Sequence, residues 1–168
     1  MNIQTKRLTI TDLTLDMAED IWRNSQDDDN RRFVPDEVFD TLDEATETVA
    51  WLIDAAKTET GPFLFPVFLK DGINIGYVQL CAIEAGYEIG YHIAKPYTGQ
   101  GYASEAVQAF LPVIMERYEI DKVYGIVLEE NKASCRVLEK CGFELIFEGL
   151  SDYQEEKRLL KKYWFKRV

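Results

Sequence analysis

The run Glu88-Ile-Gly-Tyr-His-Ile-Ala-Lys-Pro-Tyr-Thr-Gly-Gln-Gly-Tyr-Ala-Ser-Glu-Ala-Val107 carries a strand pattern through a close glycine pair and directly into a helix. Few folds meet all three demands in that order. Gly99 and Gly101 lack a Cβ where the backbone must turn sharply and approach a ligand. A helix opening near Tyr102 adds unpaired N–H groups at the positive end of its dipole. Together these make a nest for a phosphate-bearing ligand. A lone Gly-x-Gly also occurs in plain strand-to-helix turns, so the flanking segments carry the discrimination.

Val123 to Leu128 reads as a buried strand and is followed by Glu-Glu-Asn131-Lys-Ala-Ser134-Cys-Arg-Val-Leu-Glu-Lys-Cys-Gly142-Phe143. Asn131 is a good helix N-cap, Val137, Leu138 and Cys141 form an apolar stripe, and Gly142 suits a left-handed helix stop.

These two segments, about thirty residues apart, together with Arg7-Leu8 in an opening strand, resemble the GCN5-related N-acetyltransferases (GNAT). Within that family the likeness is to the branch of ribosomal-protein-alanine N-acetyltransferases, and it spans nearly the whole chain. The resemblance implies an α/β (α+β) GNAT fold. Its mixed, mostly antiparallel and strongly twisted sheet has about seven strands, splayed in the middle, with about four helices packed on it. It also implies acetyl-CoA as co-substrate. The turn formed by Thr98, Gly99, Gln100, Gly101, Tyr102, Ala103 and Ser104 would hold the pyrophosphate through backbone amides. His92, Ile93 and Ala94 would line the pantetheine arm, and Asn131 would orient its amide. Lys132 and Arg136 would reach the adenosine phosphate, although solvated helix charge is the commoner role for such residues.

The implied reaction is direct acetyl transfer from a thioester to a primary amine, which needs a neutral nucleophile, a polarised carbonyl and a protonated leaving thiolate. Glu88 is the expected base. His92, the only histidine, is its rival, and as a structural histidine it needs no catalytic role. Strand alternation puts Glu88, Gly90 and His92 on one face, with Gly90 marking a bulge or a close backbone approach. Ser134 is the expected thiolate acid, because the position where many relatives carry a tyrosine is Leu138. A second departure is Thr98, where relatives carry Gln or Arg.

The charge pattern points to the acceptor. The net charge is −11, and Glu19 to Glu47 holds eleven acids against Arg23, Arg31 and Arg32. An acidic lip there would attract a cationic amine such as a protein N-terminus or a polyamine; a solvated helix face is the plainer reading. The acidity disfavours nucleic acid, and the basic residues from Lys157 to Arg167 read as strand edges. The 168 residues suit one domain, 1–168. Cys81, Cys135 and Cys141 read as reduced thiols, their spacing suggests no metal, and no apolar run reaches the roughly 20 residues of a membrane span, so a cytoplasmic protein is expected. Tyr163, Trp164 and Phe165 offer a surface for a homodimer or alternate into the core.

Ile3 to Thr11 reads as one strand, Asp27 to Asp40 as a loop, and Thr41 as the cap of a helix running to Gly61-Pro62. A three-stranded meander follows from Phe63 to Ala94, and Glu144 to Glu148 with Leu159 to Val168 form a closing hairpin. A nicotinamide dehydrogenase is the rival enzyme. It fails because only 39 residues follow Glu129 and an antiparallel meander precedes the turn. The non-enzyme alternative is an acyl-CoA-binding regulatory module without turnover.

Overall fold

The computed structural model describes residues 1–168. Its single sheet has eight strands: β1 (Asn2–Gln4), β2 (Leu8–Thr11), β3 (Phe63–Leu69), β4 (Asn74–Ile83), β5 (Gly86–Ile93), β6 (Lys122–Leu128), β7 (Glu144–Tyr153) and β8 (Glu156–Lys166), in the order β1-β2-β3-β4-β5-β6-β8-β7. The α-helices are α1 (Ala18–Asn24), α2 (Asp28–Phe33), α3 (Leu42–Ala55), α4 (Tyr102–Arg117) and α5 (Lys132–Lys140). Every neighbouring pair of strands is antiparallel except β5 and β6, which α4 joins by a crossover.

One strand and one helix more than expected have local causes. The opening strand is a small hairpin, because Thr5 turns the chain with its N–H on Leu8 O at 2.9 Å. The acidic loop contains α2, capped by Asp27 Oδ1 on Asn30 N at 2.8 Å. Its acids lie in the first turn and its arginines in the last, which suits the helix dipole. Helix α3 stops at Ala55, short of Gly61-Pro62, where Thr58 Oγ1 takes up Ala55 O at 2.7 Å. The closing hairpin is longer than expected. Gln154 and Glu155 turn it with φ of 49° and 65°, a turn that neither Gly nor Asn announces.

Helices α4 and α5 cover one face of the sheet over a core that includes Ile10, Phe65, Leu80, Ile89, Phe110 and Tyr163. Helices α1 and α3 cover part of the other face, packing Ile21, Val49 and Leu52 on Leu64 and Tyr77. Tyr163 is fully buried and its hydroxyl donates to Glu139 Oε1 at 3.0 Å, so it does not serve a dimer surface. Lys162 lies over Phe147 and Lys166 over Trp164, so these basic side chains shelter exposed rings.

Three details of the sheet shape the site. Strands β4 and β5 pair without interruption from Gly76↔Ile93 to Ile83↔Gly86, so Gly90 is not a bulge. It is there for space: a Cβ at Gly90 would lie 2.7 Å from Gln79 Cγ. Strands β5 and β6 share the one pairing Glu88↔Tyr124 and line a cleft beyond it. Finally, Leu138 fills the place of the common tyrosine by packing onto Gly125, where a Cβ would stand 2.7 Å from Leu138 Cδ1. Gly125→Ala is therefore expected to cost about 1–3 kcal/mol by overpacking, read as a lower urea midpoint at unchanged slope.

Candidate functional site

Two adjoining cavities occupy the splay. The larger, about 670 Å³, runs from Tyr91, His92 and Ile93 along the Thr98 to Ser104 turn to the start of α5. Gly99 and Gly101 sit at φ of 75° and 83°. A Cβ at Gly99 would meet nothing within 4 Å, and one at Gly101 only Arg7 Nη2 at 3.5 Å. Backbone conformation, not crowding, is what glycine supplies here. Helix α4 receives no side-chain cap, whereas Thr41 caps α3 and Asn131 Oδ1 caps α5 on Ser134 N. The first N–H groups of α4 are thus open to an anion, as a pyrophosphate site requires.

Arg7 braces that turn from the opposite end of the chain. Its Nη1 donates to Gln100 O at 2.9 Å, its Nε to Glu105 Oε2 at 2.6 Å, and its guanidinium lies 4.3 Å over the Tyr102 ring. One planar group thereby ties the turn, α4 and the first hairpin together. Arg7→Ala is expected to weaken coenzyme A binding about tenfold, and Arg7→Lys to restore little, because an ammonium cannot form the fork; calorimetric titration reads both.

Of the residues expected to hold coenzyme A, His92, Ile93, Thr98, Gly99, Gly101, Tyr102, Ala103, Ser104, Asn131, Lys132, Ser134 and Arg136 line this cavity. Two do not. Ala94 is buried, and its N–H and C=O are taken by Ile75 O and Tyr97 N. Gln100 is exposed, with its carbonyl held by Arg7. Lys95 and Lys140 join Lys132 and Arg136 in the lining, beside Asp27, Asp29 and Glu130.

The second cavity, about 290 Å³, lies beyond the β5–β6 opening and contains Glu88. Tyr91, Asn131 and Ser134 line both cavities and mark their junction. Burial pushes the Glu88 carboxyl up to about 7; the Ile126 backbone N–H opposes this and the Glu37 charge adds to it. Tyr91, a tyrosine from β5, reaches across the splay and donates to Ser134 O at 2.9 Å. His92 turns away, with Nε2 3.0 Å from Asn24 O, and burial holds its pKa below the usual value against that hydrogen bond. The acidic lip reaches this second cavity only through Asp36 and Glu37. Asp27 caps α2, Asp29 pairs with Lys95 at 2.5 Å, and Glu19 and Asp20 both pair with Arg23.

Sequence reasoning missed Tyr91, Tyr153 and Gln154. Tyr91 was legible as a tyrosine on the strand beside the expected base. The hairpin tip was not, since its long strands cross the splay only in three dimensions.

A strand-edge carboxyl and an uncapped helix terminus thus lie on adjoining cavities of a splayed sheet. The acetyltransferase (GNAT) domain family model matches residues 7–144, and the chain belongs to that family of acyltransferases. It is 29% identical over 145 residues to the uncharacterized N-acetyltransferase YnaD of Bacillus subtilis (strain 168), covering 84% of this chain and 82% of YnaD. The crystal structure of a GNAT-family acetyltransferase from Bacillus anthracis matches with a TM-score of 0.83 at 26% identity, over 99% of this chain and 98% of the other. RimL, a ribosomal L7/L12 alpha-N-protein acetyltransferase solved with coenzyme A, shares the fold with a TM-score of 0.84 at 18% identity, over 99% and 98% of the two chains.

Proposed function

We propose that this protein, as one domain, moves an acetyl group from acetyl-CoA directly to a primary amine of a cationic acceptor. The observation that carries the reading is a half-buried carboxyl that desolvation pushes up to about 7, Glu88, beside the junction of the two cavities. The open α4 N-terminus, Lys132 and Arg136 support acetyl-CoA as the donor.

In this mechanism the thioester carbonyl lies at the junction and the acceptor amine comes from the Glu88 side. Glu88 takes a proton from the incoming ammonium, directly or through water, and the freed nitrogen lone pair attacks the carbonyl carbon. A backbone N–H near Ile93 polarises the carbonyl oxygen. The tetrahedral nitrogen gives its second proton to solvent as the carbon–sulfur bond breaks, and the thiolate leaves with a hydrogen bond from the Ser134 hydroxyl and takes up a proton from solvent, while Glu88 releases its own proton to water. Tyr91 fixes the Ser134 backbone and brings a second hydroxyl to the junction. His92 is a positioning residue that ties β5 to the end of α1.

Thiol release from acetyl-CoA, followed across peptide N-termini, polyamines and simple alkylamines, tests the reading. Release with one class of amine supports transfer and identifies the acceptor. Coenzyme A binding without release on any amine would instead favour the regulatory module.

A further inference from the structure

Resting on the acetyl-transfer reading, we infer that Glu37 is the specificity-determining carboxylate that holds a second positive charge of the acceptor, so that the preferred acceptor is an aliphatic diamine or polyamine. The second cavity is lined by Asp36, Glu37 and Glu88 and by no Lys, Arg or His. None of these three acids belongs to any of the ion pairs in the protein. A cavity with several carboxylates and no cation is matched by a ligand that brings positive charge.

Glu37 is oriented by neutral donors. Gln79 Nε2 donates to its Oε1 at 2.9 Å, and the Tyr77 hydroxyl donates to its Oε2. Gly90 is part of this arrangement, since any side chain there would displace the Gln79 amide. Gln79 and Cys81 are alternate residues of β4, and Cys81 is the partner of Glu88 across the strands. The Glu37 and Glu88 stations are thus offset by roughly 7 Å along the sheet, the advance of two strand residues. Phe33, Val34, Ile126 and Leu128 give the cavity apolar walls, which suit an alkyl spacer between two amines. Gln154 reaches Asp36 at 3.4 Å from the hairpin tip, and the cavity's volume of about 290 Å³ suits a slim chain. A cation held at Glu37 also offsets the repulsion that Glu37 exerts on the Glu88 carboxylate.

The test compares spermidine, diaminobutane and butylamine as acceptors at saturating acetyl-CoA, for the wild type and Glu37→Gln. The wild type is expected to favour the diamines over butylamine by about tenfold in kcat/KM. Glu37→Gln is expected to erase the preference by raising the diamine KM, with the acetyl-CoA KM unchanged and the acid limb of the pH profile moved to lower pH, since the Glu37 charge that raises the Glu88 pKa is gone. Equal use of mono- and diamines by the wild type would overturn the inference, as would preference for a peptide whose N-terminus is its only positive charge or an equal loss on every amine in the variant. Calorimetric titration of spermidine into the coenzyme A-loaded protein separates this inference from the reading it rests on. Spermidine binding lost in Glu37→Gln upholds the cation site even if no amine is acetylated, whereas transfer to amines with no Glu37-dependent spermidine binding overturns the site alone.

Discussion

Glu88→Gln lowers kcat by about a hundredfold or more, the contribution of a positioned general base, while acetyl-CoA affinity stays near wild type because Glu88 lines only the second cavity. In the wild type kcat/KM rises from acid pH with an apparent pKa of about 7, as the Glu88 carboxyl ionises. That limb disappears in the variant. The same substitution has an opposite effect on stability. Burial raises the Glu88 pKa in the folded protein, so the folded state binds more protons than the unfolded one between pH 4.5 and about 7. Stability contributed by this group is full below the unfolded value and is lost as pH rises through the folded one. At pH 8 Glu88→Gln is therefore expected to stabilise the protein by about 2 kcal/mol, with allowance for the solvent the cavity mouth admits, and at pH 4 by little. A glutamate that serves the fold through its ionised carboxylate would show no rate loss and would lose stability on substitution at pH 8, so rate profiles and urea denaturation at the two pH values test the assignment together.

Gly101→Val is expected to weaken coenzyme A binding by about a hundredfold with a modest loss of stability. Gly101 sits at φ 83°, where a β-branched residue is strained, and the space around it is open. The strain is relieved by rotating the peptide groups that open α4, and those groups carry the N–H donors for the pyrophosphate. Gly101→Ala lies between. Titration with coenzyme A and with dephosphorylated pantetheine separates the effects, since only the ligand with the pyrophosphate should lose affinity.

The glycine turn and the placement of Glu88 were legible because each depends on short-range rules. Positive φ selects glycine at 99 and 101, and alternation along β5 puts Glu88 on the face shared with Gly90 and His92. The acceptor side was less so. Glu37 and Gln154 come from a turn and a hairpin tip far apart in the chain, and nothing local to either announces that they line one cavity. Asp36 and Glu37 were visible only as part of a charge run in which Asp27 caps α2 and Glu19, Asp20 and Asp29 pair with arginine or lysine. Gly90 reads as a bulge or a close backbone approach because a strand glycine often marks one or the other. Its true role depends on the size of Gln79 on the neighbouring strand, which no single segment reveals. Helix α2 was missed for want of an apolar stripe, although its cap and its charge order were both present.

The most direct test of the whole account is a crystal structure with coenzyme A bound. The account predicts the pyrophosphate on the N–H groups of the Gly99 to Ser104 turn, the pantetheine arm in the β5–β6 splay, and the thiol sulfur at the junction between Ser134 and Tyr91, facing Glu88. Coenzyme A held elsewhere, or with its sulfur directed away from the Glu88 cavity, would contradict it.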